Sequence, residues 1–162
     1  MRNMRKRNLI LLPLIPFLLA CFLATVQAAE RKVIHSNPPP EYAKLKNPLT
    51  DEDPKTLGEK DPNIMAGRLL YERTCARCHG IRGDGKGPEA VGFMSPIPPV
   101  NFTDPEAIAK VSQGYVKWRI DEGGFDEPFR SAMPSWKYDF TEDQKWQIIL
   151  YVYKNAGVSP KR

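Results

Sequence analysis

Tyr71-Glu72-Arg73-Thr74-Cys75-Ala76-Arg77-Cys78-His79-Gly80 decides how the rest of the chain is read. Two thiols at i and i+3 followed at once by an imidazole suit covalent haem attachment. On a helical turn Cys75 and Cys78 present both sulfurs to one face, where each can form a thioether with a haem vinyl group. His79 then reaches the iron from the same turn.

Other uses of this pentapeptide fit less well. A thioredoxin-like dithiol opens a helix after a buried strand, whereas residues 64–74 already read as a helix. A zinc site needs four ligands, and the chain offers only Cys21, Cys75, Cys78, His35 and His79, with Cys21 inside an apolar leader. A Cys75–Cys78 disulfide would close a very small ring and leave His79 unexplained.

The leader matches the compartment in which such haem attachment takes place. Arg2, Arg5, Lys6 and Arg7 precede the apolar run Leu9 to Ala24, and Val26-Gln27-Ala28 gives small residues before a cleavage point. Residues 1–28 therefore read as a signal peptide, with the mature chain starting at Ala29 in the periplasm. Two rival outcomes stay open. The run from Leu9 to Val26 is long enough to remain as an anchor, although Pro13 and Pro16 favour a shorter apolar segment. Leu18-Leu19-Ala20-Cys21 resembles a lipoprotein signal, but the apolar stretch after Cys21 is unusual there. The leader holds four of the 24 Lys and Arg and no acid, leaving 20 basic against 19 acidic side chains, a net of +1. The basic excess belongs to targeting, and nucleic-acid binding has no support.

Between Ser36 and Pro62 the chain carries Pro38, Pro39, Pro40, Pro48 and Pro54 among charged residues and has no sustained apolar period. Residues 29–61 are expected to form a proline-rich extended arm that packs along the domain or links it to the membrane. Residues 62–157 form the domain, and residues 158–162 a C-terminal tail. Asp61-Pro62-Asn63 is a helix start, and Ile64, Gly67, Leu70, Tyr71 and Thr74 follow as a stripe that delivers Cys75. Thr141-Glu142-Asp143-Gln144 is a capping box opening a terminal helix with Trp146, Ile149, Leu150 and Tyr153 on one face, closed by Gly157. Gly67 would let the two helices cross closely, and Tyr71 would meet the terminal helix's aromatic residues. A middle helix starts at Asp104-Pro105, with Gly114 as its stop, and a shorter helical piece follows over residues 115–122. No strand run is convincing, so the fold is mainly α. So short a domain is expected to complete its core with the macrocycle itself.

A six-coordinate haem needs a second ligand opposite His79, and Met65, Met94, Met133 and His35 are available. Met133 is favoured. Pro134 biases it away from helix, so the loop Ser131-Ala132-Met133-Pro134-Ser135-Trp136 can hold its thioether over the iron. Met65 lies on the first helix, Met94 is a weaker rival in a second loop, and a packing role is the other use of Met133.

From Pro62 to Gly157 the sequence resembles a mono-haem class I cytochrome c. The resemblance rests on the Gly67/Tyr71 helix, Cys75-Ala76-Arg77-Cys78-His79-Gly80, Gly83-Asp84-Gly85-Lys86-Gly87-Pro88, Ala132-Met133-Pro134 and the helix from Trp146 to Tyr153. It implies the class I cytochrome c fold, three to five helices wrapped around one covalently attached haem c. It implies thioethers at Cys75 and Cys78, with His79 and Met133 as the iron ligands. It also implies that the Pro88 carbonyl accepts the other ring N–H of His79. The segment from Tyr115 to Gly123 looks like the region lining the haem propionates, where Trp118 or Arg119 could bond a propionate. Trp118 is as well explained by core packing.

With both axial positions filled, no iron site is left for a substrate, so the expected role is a periplasmic electron carrier in a respiratory chain and not an enzyme. Redox partner proteins would be met transiently, the free protein being a monomer, with a membrane tether through the N-terminus as an option. Alternatives are a permanent haem subunit of an oxidoreductase complex, docked by the arm, or a haem sensor or enzyme. Lys86, Lys110, Lys117, Arg130 and Lys137 are candidates for steering a partner, or else ordinary solvated charge.

Overall fold

A computed structural model describes residues 37–90, 97–126 and 128–161. The expected signal peptide, Cys21, His35 and Met94 lie outside the described residues. In chain order the elements are α1 (Pro40–Ala43), a 3-10 turn (Pro54–Thr56), α2 (Pro62–Thr74), α3 (Ala76–His79), α4 (Pro105–Ala109), α5 (Gln113–Glu122) and α6 (Glu142–Ala156). No strand occurs among the described residues, in keeping with a mainly α fold.

The helix ends form where local chemistry demands. Asp61 accepts hydrogen bonds from the Asn63 and Ile64 N–H groups, and Pro62 occupies the first helical position, where no N–H is needed. Thr141 and Gln144 cap α6 reciprocally, and Gly157 ends it in the left-handed region at φ 67°. The middle of the chain departs from expectation. Gly114 does not stop a helix but lies in the first turn of α5, which Ser112 caps by accepting from the Tyr115 N–H. Gly114 is small because the Tyr42 carbonyl of α1 sits where a β-carbon would be.

Helix α6 is the spine of the domain, packing against α2, α4, α5 and the 3-10 turn. Its buried face, Trp146, Ile148, Ile149, Leu150, Val152 and Tyr153, joins Ile64 and Tyr71 of α2 in one core. α2 and α6 meet backbone to backbone at Gly67. One turn on, the rings of Tyr71 and Tyr151 lie 5.2 Å apart, and the Tyr71 hydroxyl donates to the Gly80 carbonyl at 2.9 Å.

Residues 37–61 lie against this frame as a strap. Pro54 and Leu57 are buried. Asn47, also buried, donates to the Trp146 carbonyl at 2.9 Å, and its own N–H donates to the Gln113 side chain at 2.6 Å. Tyr42 donates to Asp121 at 3.1 Å. The prolines limit the strap's unfolded conformations, and α5 and α6 supply the apolar surface it lacks. No helix of the described residues is long and apolar enough to cross a membrane.

Candidate functional site

Helix α2 runs into α3 through Cys75, whose backbone stays helical at φ −80°, ψ −33°. The Cys78 and His79 N–H groups both donate to the Cys75 carbonyl, at 3.2 and 2.9 Å. Cys75, Cys78 and His79 therefore share one turn, with both thiols unlinked and partly buried. Burial pushes the Cys75 thiol up to about 12, with Cys78 adding to the rise. Cys78 is raised by its own burial and by Glu89, against Arg77. A catalytic dithiol needs a lowered thiol pKa. Both shifts here run the other way, so the pair lacks the mark of a catalytic dithiol.

The His79 ring is held at two points. Its Nδ1 lies 3.2 Å from the Val100 carbonyl. Its face stacks on Phe102, with centroids 4.5 Å apart and planes 19° apart. Burial lowers the imidazole pKa, the Val100 contact partly opposing it. The result is a neutral ring whose Nδ1–H donates to Val100, leaving the Nε2 lone pair free for a metal.

The acceptor is Val100 and not Pro88. Residues 87–89 are tied to the other side of α3. The Gly87 N–H donates to the Cys78 carbonyl at 3.1 Å, the Glu89 N–H donates to the Arg77 carbonyl at 2.9 Å, and Arg77 forms a fork to Glu89 with both bonds at 2.8 Å. Meanwhile the Phe102 N–H donates to the Gly83 carbonyl at 2.6 Å, bringing residues 100–102 to the ring. Spacing gave no sign of Val100, because a backbone carbonyl 21 residues away has no residue-type signature.

Met133 lies, partly buried, on the loop between α5 and α6. Its carbonyl accepts from the Gly124 N–H at 2.8 Å, and the Ser131 N–H donates to the Gly124 carbonyl at 2.7 Å. Gly123, at φ 67°, has the Met133 and Pro134 backbone where a side chain would be. Only glycine combines that φ with so close a neighbour. Met65 is half exposed on α2. Trp118 packs edge-on to Phe129 at 5.4 Å. The Arg119 guanidinium lies 3.7 Å from the Phe129 ring centre, with burial lowering its pKa, and has no carboxylate partner among the described residues. A half-buried cation of this kind fits an anionic group such as a haem propionate. Of the lysines considered for steering, Lys117 is buried and Lys137 is paired with Glu122 at 2.8 Å.

The family described as cytochrome c oxidase, cbb3-type, subunit III matches residues 62–152, the stretch from the start of α2 into α6. The chain belongs to this family. It is a c-type cytochrome whose cofactor is a covalently attached haem c, and such domains carry electrons. Among solved structures it is similar to a chain of the Kuenenia stuttgartiensis reducing HAO-like protein complex Kustc0457/Kustc0458, at 28% identity and a TM-score of 0.47. That match covers 61% of this cytochrome and 46% of the other chain. No curated protein matches it.

Proposed function

We propose that this cytochrome is an exported, periplasmic carrier of single electrons in a respiratory chain, with Cys75 and Cys78 bonded to the haem and His79 and Met133 as the iron ligands. The observation that carries the reading is the orientation of His79. Its Nδ1 is engaged by Val100 and its Nε2 has no partner among the described residues, on the same turn as the Cys75 and Cys78 thiols. Fixing Nδ1 sets the tautomer and raises the donor strength of Nε2.

The haem supplies a reversible Fe(III)/Fe(II) couple when bound; the chain does the rest. Phe102 and Val100 stop the His79 ring from turning. The Gly124 N–H and the Pro134 backbone restriction hold Met133 on the loop between α5 and α6. Arg119 is the cation that neutralises a propionate. Because α6 packs against both α2 and α5, the segments bearing the two ligands are fixed to one helix. Little nuclear rearrangement then accompanies a change of charge on the iron. The thioether of Met133 favours the ferrous state, so the potential is expected to be high for a c-type haem.

The alternative, a haem subunit docked in a complex by its proline arm, is less favoured. Residues 37–61 are already committed to packing against α5 and α6. The test is a redox-titrated absorption spectrum of exported protein. One reversible one-electron transition and a weak far-red thioether-to-iron band support the reading. A ferric spectrum without that band contradicts the His79/Met133 ligand set.

A further inference from the structure

Four charged groups that no ligand role uses meet between α5, α6 and the loop that bears Met133. Lys145, 2% exposed, is the hub. Its ammonium lies 2.9 Å from Asp121 Oδ1 and donates to Glu142 Oε1 at 2.9 Å and to the Lys137 carbonyl at 2.7 Å. Two of its N–H groups thus have hydrogen-bond acceptors, and Asp121 Oδ1 beside it is an ion-pair contact that makes no hydrogen bond. Of these three partners, one sits on α5, one on α6, and one on the backbone four residues beyond Met133.

Asp121, 3% exposed, continues the connection. Its carboxylate also takes Lys117 at 2.5 Å and the Tyr42 hydroxyl of the strap at 3.1 Å. Its backbone carbonyl accepts the Ser135 hydroxyl. Next to it, the Trp136 N–H donates to the Ile120 carbonyl at 2.9 Å. The loop is therefore tied upstream of Met133 through Gly124 and downstream through Ser135, Trp136 and Lys137. One downstream tie, at the Lys137 carbonyl, is made by Lys145 itself, and another, at the Ser135 hydroxyl, is made by the main chain of its ion-pair partner Asp121.

A buried lysine is rare, and a buried ion cluster adds little to stability compared with apolar residues of the same size. Its placement has a stronger consequence for the loop. A loop with only solvent-exposed backbone hydrogen bonds opens locally at little cost, whereas opening one bonded to a buried ammonium takes an acceptor from that ammonium. We propose that Lys145 and Asp121, by holding the Lys137 carbonyl and the Ser135 hydroxyl respectively, are the positioning device that keeps Met133 on the iron, so that the ferric haem resists replacement of its thioether by outside ligands. This rests on Met133 being the ligand.

The experiment uses full-length holoprotein and titrates imidazole into the ferric state while following the far-red band, for wild type, Lys145→Met, Ser135→Ala and Met133→Ala. Thermal midpoints are measured alongside. The expected result is that both Lys145→Met and Ser135→Ala bind imidazole about tenfold more tightly than wild type, with a weakened band; tenfold corresponds to about 1.4 kcal/mol. Ser135→Ala leaves the buried ions in place, so it decides the matter if Lys145→Met does not fold. Unchanged imidazole affinity and band in Ser135→Ala, with or without a lower midpoint, overturns the proposal while leaving Met133 as ligand. A wild-type band that survives in Met133→Ala overturns the ligand assignment and the positioning role with it.

Discussion

Gly67 and Gln147 touch backbone to backbone: a β-carbon on Gly67 would overlap the Gln147 carbonyl. This contact sets how closely the helix that delivers Cys75 can lie on the helix that forms the spine of the domain. Gly67→Val is expected to push the two apart and destabilise the holoprotein by about 3 kcal/mol, near the upper end for overpacked cores. Urea unfolding followed by tryptophan fluorescence checks this, and a cost below about 0.5 kcal/mol would show that the crossing tolerates wider separation.

Phe102 stacks on His79 and meets Tyr71 edge-on at 6.2 Å. Phe102→Ala removes both contacts from a partly buried site, and a loss of about 2 kcal/mol is expected, less than for a fully buried phenylalanine. The imidazole would also turn more freely. The ferric haem spectrum should then show a mixture of ligand orientations, read by electron paramagnetic resonance as broadening of the low-spin signal. An unbroadened signal would mean that Val100 alone fixes the ring.

The buried ions give the protein a defined acid limit. Burial opposes the charge on Asp121, but the ammonium groups of Lys117 and Lys145 outweigh it and hold the carboxyl below the ordinary aspartate range. Glu142 is lowered mainly by its bond to Lys145. A depressed carboxylate stabilises the fold fully above its unfolded pKa, and the contribution is lost as pH falls through the folded value. Stability should therefore be level from neutral pH down to about pH 5 and fall steeply below about pH 4, the ordinary carboxylate value. Asp121→Asn should remove much of that acid dependence and cost about 3 kcal/mol at pH 7, because two buried lysines are left with only the exposed Glu142 as counter-charge. Chemical denaturation at a series of pH values checks both.

Much of this could be read from the chain before folding, and what could not has a common cause. Cys75, Cys78 and His79, the caps at Asp61 and Thr141, and the small residue at Gly67 are local signals, each fixed by neighbours within a turn. The Val100 carbonyl is a backbone group brought in by the loop after Pro99, so no side chain advertises it. Gly114 read as a helix stop because the partner that requires a small residue, the Tyr42 carbonyl, is distant in sequence. Lys117 read as a steering or solvated charge because lysine usually is exposed; its burial is decided by the strap and by α6, which lie far from it along the chain. The strap has no apolar period of its own, so its packing depends on surface supplied by α5 and α6.

Carbon monoxide separates an electron carrier from a sensor or an enzyme. With His79 and Met133 both on the iron, the reduced protein should show no prompt spectral change under carbon monoxide. The Met133→Ala variant should bind it at once. Prompt binding by the wild type would point to an open or easily vacated iron position.

The most direct test of the account is the mass of the exported protein, produced with competent haem-attachment machinery and measured after denaturation. One haem should be retained on the wild-type chain and none on the Cys75→Ala/Cys78→Ala variant. A wild-type chain of unmodified mass, with its leader removed, would contradict covalent attachment.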